Sequence, residues 1–261
     1  MVGRSNRKKK QRQLLGSHQR CWLWGRHLVR ETLAAGIWPI LQLSLAGDLD
    51  TDRLDEARAL ASVHGVPCEV CPRADLTRLC KSPEHQGYVA KMGSFPYRAI
   101  DEMLARESET PLYLVLDSLQ DPYNFGAIIR SAEVFGVDGL CVGSSAQAEV
   151  SSFVARSSAG AVNRLPIGRA ATVADALRSL RERGVRIVGA SEKSSVLAPE
   201  YDFRQPVAIV IGNEGSGLDD SVRGLCDDIV AIPQQGHTGS LNAAMAAAIL
   251  LYEVRRQRDK G

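Results

Sequence analysis

"IVIGNEGSGL", residues 209–218, runs a β-branched apolar strand into three glycines set around an asparagine and a glutamate. An unbroken apolar run is what a strand buried on both faces of a parallel sheet requires. Glycines directly after it leave the main chain bare, so that backbone can come close to a ligand. Their positions, Gly212, Gly215 and Gly217, fit neither G-x-G-x-x-G nor the phosphate loop G-x-x-x-x-G-K-[ST], because Leu218 stands where the lysine belongs. A dinucleotide or nucleoside triphosphate is therefore disfavoured.

Outward from that stretch, strand and helix patterns alternate. "LYLVLD" (112–117) is a second continuous apolar strand, followed by a helix over 124–136, a strand over 139–143, helices near 148–158 and over 171–183, strands over 185–190, 207–212 and 228–232, and a helix over 239–257. This alternation predicts an α/β fold: an open, mostly parallel sheet with helices on both faces. Upstream, Val29, Leu33 and Ile37 mark the apolar line of a helix from Trp24 to Gly36, with Arg26 and Arg30 on another face. Further strands at "WPILQLSLA", "VPCEVC" and "HQGYVAKM", with helices between them, make residues 21–95 a separate small α/β domain. Pro96 and Pro111 bracket a short charged helix, so 96–110 reads as a linker to a larger domain over 111–261.

The chain has 261 residues, 44% hydrophobic and 24% charged, the make-up of an ordinary packed protein. No apolar run approaches the roughly 20 residues of a membrane helix. Residues 1–20 hold seven Lys or Arg and no acid, on an otherwise mildly acidic chain. Such a basic tail suggests a disordered arm that touches a polyanion. Six cysteines without a secretory signal read as reduced thiols of a cytoplasmic protein. Cys68 and Cys71, with Cys80 and His85 downstream, have a zinc-like spacing, but residues three apart in a strand face opposite sides, so buried or half-buried thiols are expected and no metal.

Three clusters lie at strand ends, where open α/β sheets bind ligands. In "LDSLQDPYNFGAIIR", Asn124 can cap a helix that begins at Phe125, and Arg130 projects away from the core line, free or paired with Glu133. The second cluster contributes Gly212, Asn213, Glu214 and Gly217. In "AIPQQGHTGSLNAAMAAAILLYE", Ser240 or Asn242 can cap a helix whose core line is Leu241, Met245, Ala248 and Tyr252.

Together, and in this order, the three clusters resemble the SpoU-type branch of the SPOUT RNA methyltransferases. Asn124, Gly126 and Arg130 match Asn-x-Gly-x-x-x-Arg; "IGNEGSGL" supplies Glu214; "IP…G…SLN" supplies Ser240 and Asn242. "RSSAGAVNRLPI" (156–167) is similar to the family's connecting stretch, and residues 21–95 to the ribosomal-protein-like domain of its ribosomal RNA members. The resemblance implies S-adenosyl-L-methionine bound in a trefoil knot, a homodimer, and 2′-O-methylation of RNA, most simply ribosomal RNA. It implies cofactor contacts at Gly212, Asn213, Gly217, Ile232 and Leu241. Arg130, Asn124, Glu214, Ser240 and Asn242 would serve catalysis, and Arg26 and Arg30 would bind RNA. Ala243 and Ala244 depart from the usual "SLNVS". A noncatalytic assembly factor, or a transfer RNA or antibiotic-resistance methyltransferase, is the alternative. The two-domain division also implies that removal of residues 1–95 leaves cofactor binding nearly intact.

Overall fold

The structure, a computed structural model, describes residues 21–105, 108–236 and 239–259. The basic tail lies outside the described residues. Two compact units are present, residues up to Pro96 together with Val150–Asn163, and Tyr97–Glu149 together with Arg164 onward.

The first unit is built on four strands, β1 (Trp22–Trp24), β2 (Ile40–Ala46), β3 (Cys68–Cys71) and β4 (Tyr88–Met92), in the order β1-β4-β2-β3. β4 runs antiparallel to β1 and β2, whereas β3 is parallel to β2. Helices α1 (Arg26–Ala35), α2 (Thr51–Val63) and α3 (Arg73–Cys80) connect them. Gly36 ends α1 in the left-handed region, φ 61°, which costs glycine least. Asp50 opens α2 by accepting a hydrogen bond from the Arg53 amide at 2.9 Å. Val29 and Leu33 are buried as expected, but Ile37 lies past the end of α1 and is exposed.

A segment from far along the chain completes this unit. Helix α6 (Ser152–Ser157) and a 3₁₀ turn (Ala161–Asn163) bury Val154, Ala155, Ala161 and Val162. Asn163 Nδ2 donates to Thr32 Oγ1 on α1 at 3.0 Å, so the segment is tied to the unit by a buried polar contact as well as by apolar packing.

In the second unit six strands, β5 (Leu112–Leu116), β6 (Gly139–Gly143), β7 (Ile167–Ala170), β8 (Arg186–Ala190), β9 (Val207–Ile211) and β10 (Asp228–Val230), form an all-parallel sheet of order β10-β8-β9-β5-β6-β7. Strand alternation sends Tyr113, Val115, Ala208 and Val210 into a layer with α4 (Ile100–Leu104) and α7 (Val173–Glu182). The opposite face takes helix α9 (Ala243–Arg258), which packs on β9 and on α5 (Pro122–Val134). A short helix, α8 (Asp220–Arg223), precedes β10.

Several features differ from the sequence expectation, among them β1, which takes Trp24 out of the helix expected from that residue. β7 was not foreseen, because "IGRA" carries one strong strand former and a glycine. Ile100, Met103 and Leu104, in the stretch read as a linker, are buried in the core of the second unit. The face of α9 is also reversed: Ala247, Leu250, Leu251 and Val254 are buried, while Met245 is 60% and Tyr252 56% exposed. This helix has two apolar stripes, and the larger side chains lie on the outward one.

Candidate functional site

The glycine-rich loop after β9 is closed by its own main chain. The Asn213 amide donates to the Gly217 carbonyl at 2.9 Å and the Gly217 amide returns to the Asn213 carbonyl at 3.0 Å. Asn213 Oδ1 accepts from the Gly215 amide at 2.9 Å, and its Nδ2 donates to the Ser118 carbonyl, beyond the end of β5, at 2.7 Å. Gly217 sits at φ 72°. A Cβ on Gly212 would lie 2.2 Å from the Gly217 carbonyl carbon, so no larger residue fits without opening the loop. The bare backbone at Gly212 thus serves the loop's closure first. Buried Asp117 fixes the far end by accepting from the Asp219 amide at 2.8 Å.

Three side chains from separate elements meet at this loop. Asp121, not Asn124, caps α5, accepting from the Tyr123 amide at 2.8 Å. Asn124 therefore lies in the first turn with its side chain available. On α9 the cap is Asn242, whose Oδ1 accepts from the Ala244 and Met245 amides at 2.9 and 3.4 Å. An amide N–H can only donate, so Asn242 must present its Nδ2 outward; that group donates to Asn124 Oδ1 at 3.0 Å. Asn124 is then committed in turn, and its Nδ2 donates to Glu214 Oε1 at 3.1 Å. A helix terminus orients two amides in series and leaves Glu214 as the acceptor at the end.

Glu214 lines a cleft of about 220 Å³ beyond the carboxyl ends of β8, β9 and β10. Gly212, Asn213, Gly217, Ile232, Ser240 and Leu241 line it too. Sequence reasoning missed Ser191, Glu192 and Lys193 after β8, Arg223 on α8, and Gln234 after β10, all on the wall. Their signal was positional, since each of the first and last groups follows a strand end. The main-chain amides of Ile232 and Leu241 have no acceptor among the described residues.

Residues 111–252 match the SpoU rRNA Methylase family, and residues 22–98 match the RNA 2′-O ribose methyltransferase substrate binding family. The chain belongs to the SpoU family of RNA methyltransferases. A SpoU relative from Mycobacterium ulcerans, named as an uncharacterised tRNA/rRNA methyltransferase, is 38% identical over 237 residues, 90% of this chain and 76% of its own length. An S-adenosylmethionine-bound rRNA methyltransferase from Sinorhizobium meliloti superposes with TM-score 0.80 at 28% identity, covering 90% of this chain and 86% of that one. The SpoU methyltransferase AviRb from Streptomyces viridochromogenes, in complex with the same cofactor, gives 0.76 at 32% identity, covering 92% and 91%.

Within this SpoU chain the remaining residues singled out from sequence lie apart from the cleft wall. Arg130 is exposed on α5, with no ion-pair partner among the described residues, and Glu133 pairs instead with Arg164 at 2.9 Å. In the first unit Arg30 is paired with Glu56 on α2 at 2.6 Å, and Arg26 opens α1 with its amide on Gln86 Oε1 at 3.1 Å. Ala244 is buried and its amide is held by Asn242, so the main-chain geometry of the motif does not depend on a hydroxyl there. Cys68 is exposed rather than buried, and among the described residues no cluster of three His, Cys, Asp or Glu is placed to hold a metal ion. No described helix is long and apolar enough to cross a membrane.

Proposed function

We propose that this chain transfers a methyl group from S-adenosyl-L-methionine to a ribose 2′-hydroxyl of ribosomal RNA. The observation that carries the reading is the oriented series Asn242, Asn124, Glu214 at the edge of a glycine-lined cleft, in a chain of this family. The cleft suits the cofactor. Its wall offers main-chain amides at Ile232 and Leu241 that need an acceptor, and Lys193, Arg223 and Glu192 supply both signs of charge for a zwitterionic amino-acid moiety. Gly212, Asn213, Gly217, Ile232 and Leu241 would hold the adenosyl part through backbone, in a knotted arrangement of these loops. Bound there, the cofactor supplies a methyl group already activated by its sulfonium.

What remains for the protein is alignment of a weak nucleophile and removal of its proton. A guanidinium keeps its proton in proteins, so Arg130 acts as a cation that grips the target phosphate and draws the 2′-oxygen into line. Glu214, with one oxygen fixed by Asn124, has the other free to accept from the hydroxyl. Ser240, on the cleft wall, adds a neutral donor.

We further propose a homodimer in which Arg130 serves its partner's cleft. Arg130 is absent from the wall of its own chain's cleft, and α9 turns Met245, Ile249 and Tyr252 outward, a stripe that a second copy would bury. Incubation with methyl-labelled S-adenosylmethionine and ribosomal RNA tests the function. Label enters RNA with the wild type and falls by about a hundredfold or more with Arg130→Ala, the scale of losing one transition-state donor. Label transfer unaffected by that change removes Arg130 from the mechanism.

A further inference from the structure

The first unit contains a second concavity, of about 640 Å³, lined by Trp24, His27, Glu31, Glu84, Gln86 and Arg156. Arg156 comes from the segment between β6 and β7, and its guanidinium lies over the Trp24 ring, 4.3 Å from the centroid. Glu84 holds it there, with Oε2 at 3.4 Å from Nη2. Trp24 is 5% exposed, and its indole Nε1 is buried without a partner, so the ring is fixed by packing alone. The result is a planar cation backed by an aromatic wall on one side, a third of its side-chain surface still open.

The rim has its own chemistry. Gln86 occupies the left-handed region at φ 52°, a conformation uncommon for a residue with a side chain. Its Oε1 accepts from the Arg26 amide, which commits its NH2 group to pointing away as a donor. The next two amides of α1, those of His27 and Leu28, have no acceptor among the described residues. Glu31 puts a second carboxylate on the wall beside Glu84.

We propose that this concavity receives a single unstacked RNA nucleotide, its base lying on the open face of the Arg156 guanidinium. This rests on the reading of the chain as an RNA methyltransferase. A bare phosphate would be repelled by Glu31 and Glu84, whereas a base has amino groups for carboxylates and a carbonyl for the Gln86 amide. A-form duplex cannot present a base face to a recessed plane, so the occupant comes from a loop, bulge or end. Arg26 and Arg30, expected from the family resemblance to bind RNA, would then steer the backbone, with Arg156 providing the platform.

The test uses the full chain and fluorescein-labelled RNA nonamers of mixed sequence, as single strands and as blunt duplexes, with binding read by anisotropy. Single strands bind more tightly than duplex. Arg156→Ala weakens single-strand binding roughly five- to hundredfold, the scale of one base-stacking contact. Arg156→Lys, which keeps the charge and loses the plane, stays close to the alanine variant, while S-adenosylmethionine affinity by calorimetry is the same in all three proteins. A lysine variant equal to wild type, an alanine variant equal to wild type, or duplex bound as well as single strand overturns the proposal. Label transfer to ribosomal RNA by the wild type is measured alongside. If label enters RNA and Arg156 has no effect on binding, the pocket falls alone; if no label enters any RNA, the methyltransferase reading falls and the anisotropy still decides the pocket.

Discussion

Asn242 does two things with one side chain, and substitutions can separate them. Its oxygen caps α9 and its nitrogen orients Asn124. Asn242→Asp keeps an acceptor for the cap, so thermal stability should hold near wild type, while the donor to Asn124 is gone and the turnover rate should drop at least about tenfold. Asn242→Ala loses both, with about 1 kcal/mol of stability lost as well. Calorimetric unfolding beside single-turnover methyl transfer checks the pair; an aspartate variant of full activity would contradict the relay. Gly212→Ala places a methyl group against the Gly217 backbone, so the loop must open and cofactor affinity should fall by tenfold or more. At this scale much was legible. Glycines 212 and 217, Glu214, Ser240 and the two asparagines were picked from the residues and the family pattern. The cap of α5 was not, because Asp121 and Asn124 are chemically equivalent caps until the first helical residue is known, whereas Asn242 is one of the two caps expected for α9 and the one observed.

Elements were legible where their period was strong. β5, β6 and β9 are unbroken apolar runs, β8 is one after its opening Arg186, and each stands within a residue or two of its expected place. The miss on α9 is instructive. Alanines at 243, 244 and 247 face the protein because they let α5 and the sheet approach closely, while Met245, Ile249 and Tyr252 carry a larger apolar signal and face out. Volume marked the wrong stripe. The outward stripe is where the homodimer is proposed, and Ile249→Glu with Tyr252→Glu should give a monomer by sedimentation at concentrations where wild type is dimeric. If the double variant still sediments as a dimer, another surface holds the copies together. β7, a short edge strand with few apolar residues, gave little to read, whereas β3, the edge strand of the other sheet, lies within the expected "VPCEVC".

For the whole molecule, the sequence divided the chain in a simple series, and the structure does not keep to it. Val150–Asn163 buries Val154, Ala155 and Val162 in the first unit although it is flanked on both sides by strands of the second. Removal of residues 1–95 would strip that segment of its cover, so the truncated chain is expected to aggregate or bind hydrophobic dye, not to behave as an intact cofactor-binding domain. Long-range packing of this kind has no local signal. Acid stability also belongs to this scale. Asp228 is held below the ordinary carboxylate range chiefly by its hydrogen bond from Arg186. A depressed folded value stabilises above the unfolded carboxylate pKa, about 4, and that stability is lost as pH falls through it. Asp228→Asn should therefore flatten the stability curve below about pH 4, measured by denaturant midpoint.

The most direct test of the central claim is alkaline digestion of ribosomal RNA methylated by this chain with labelled S-adenosylmethionine. Alkali cleaves RNA through the 2′-hydroxyl, so methylation at that oxygen blocks the adjacent bond. The account predicts the label in an alkali-resistant dinucleotide, in amounts that fall with Arg130→Ala. Label recovered in mononucleotides, or none in RNA at all, would contradict it.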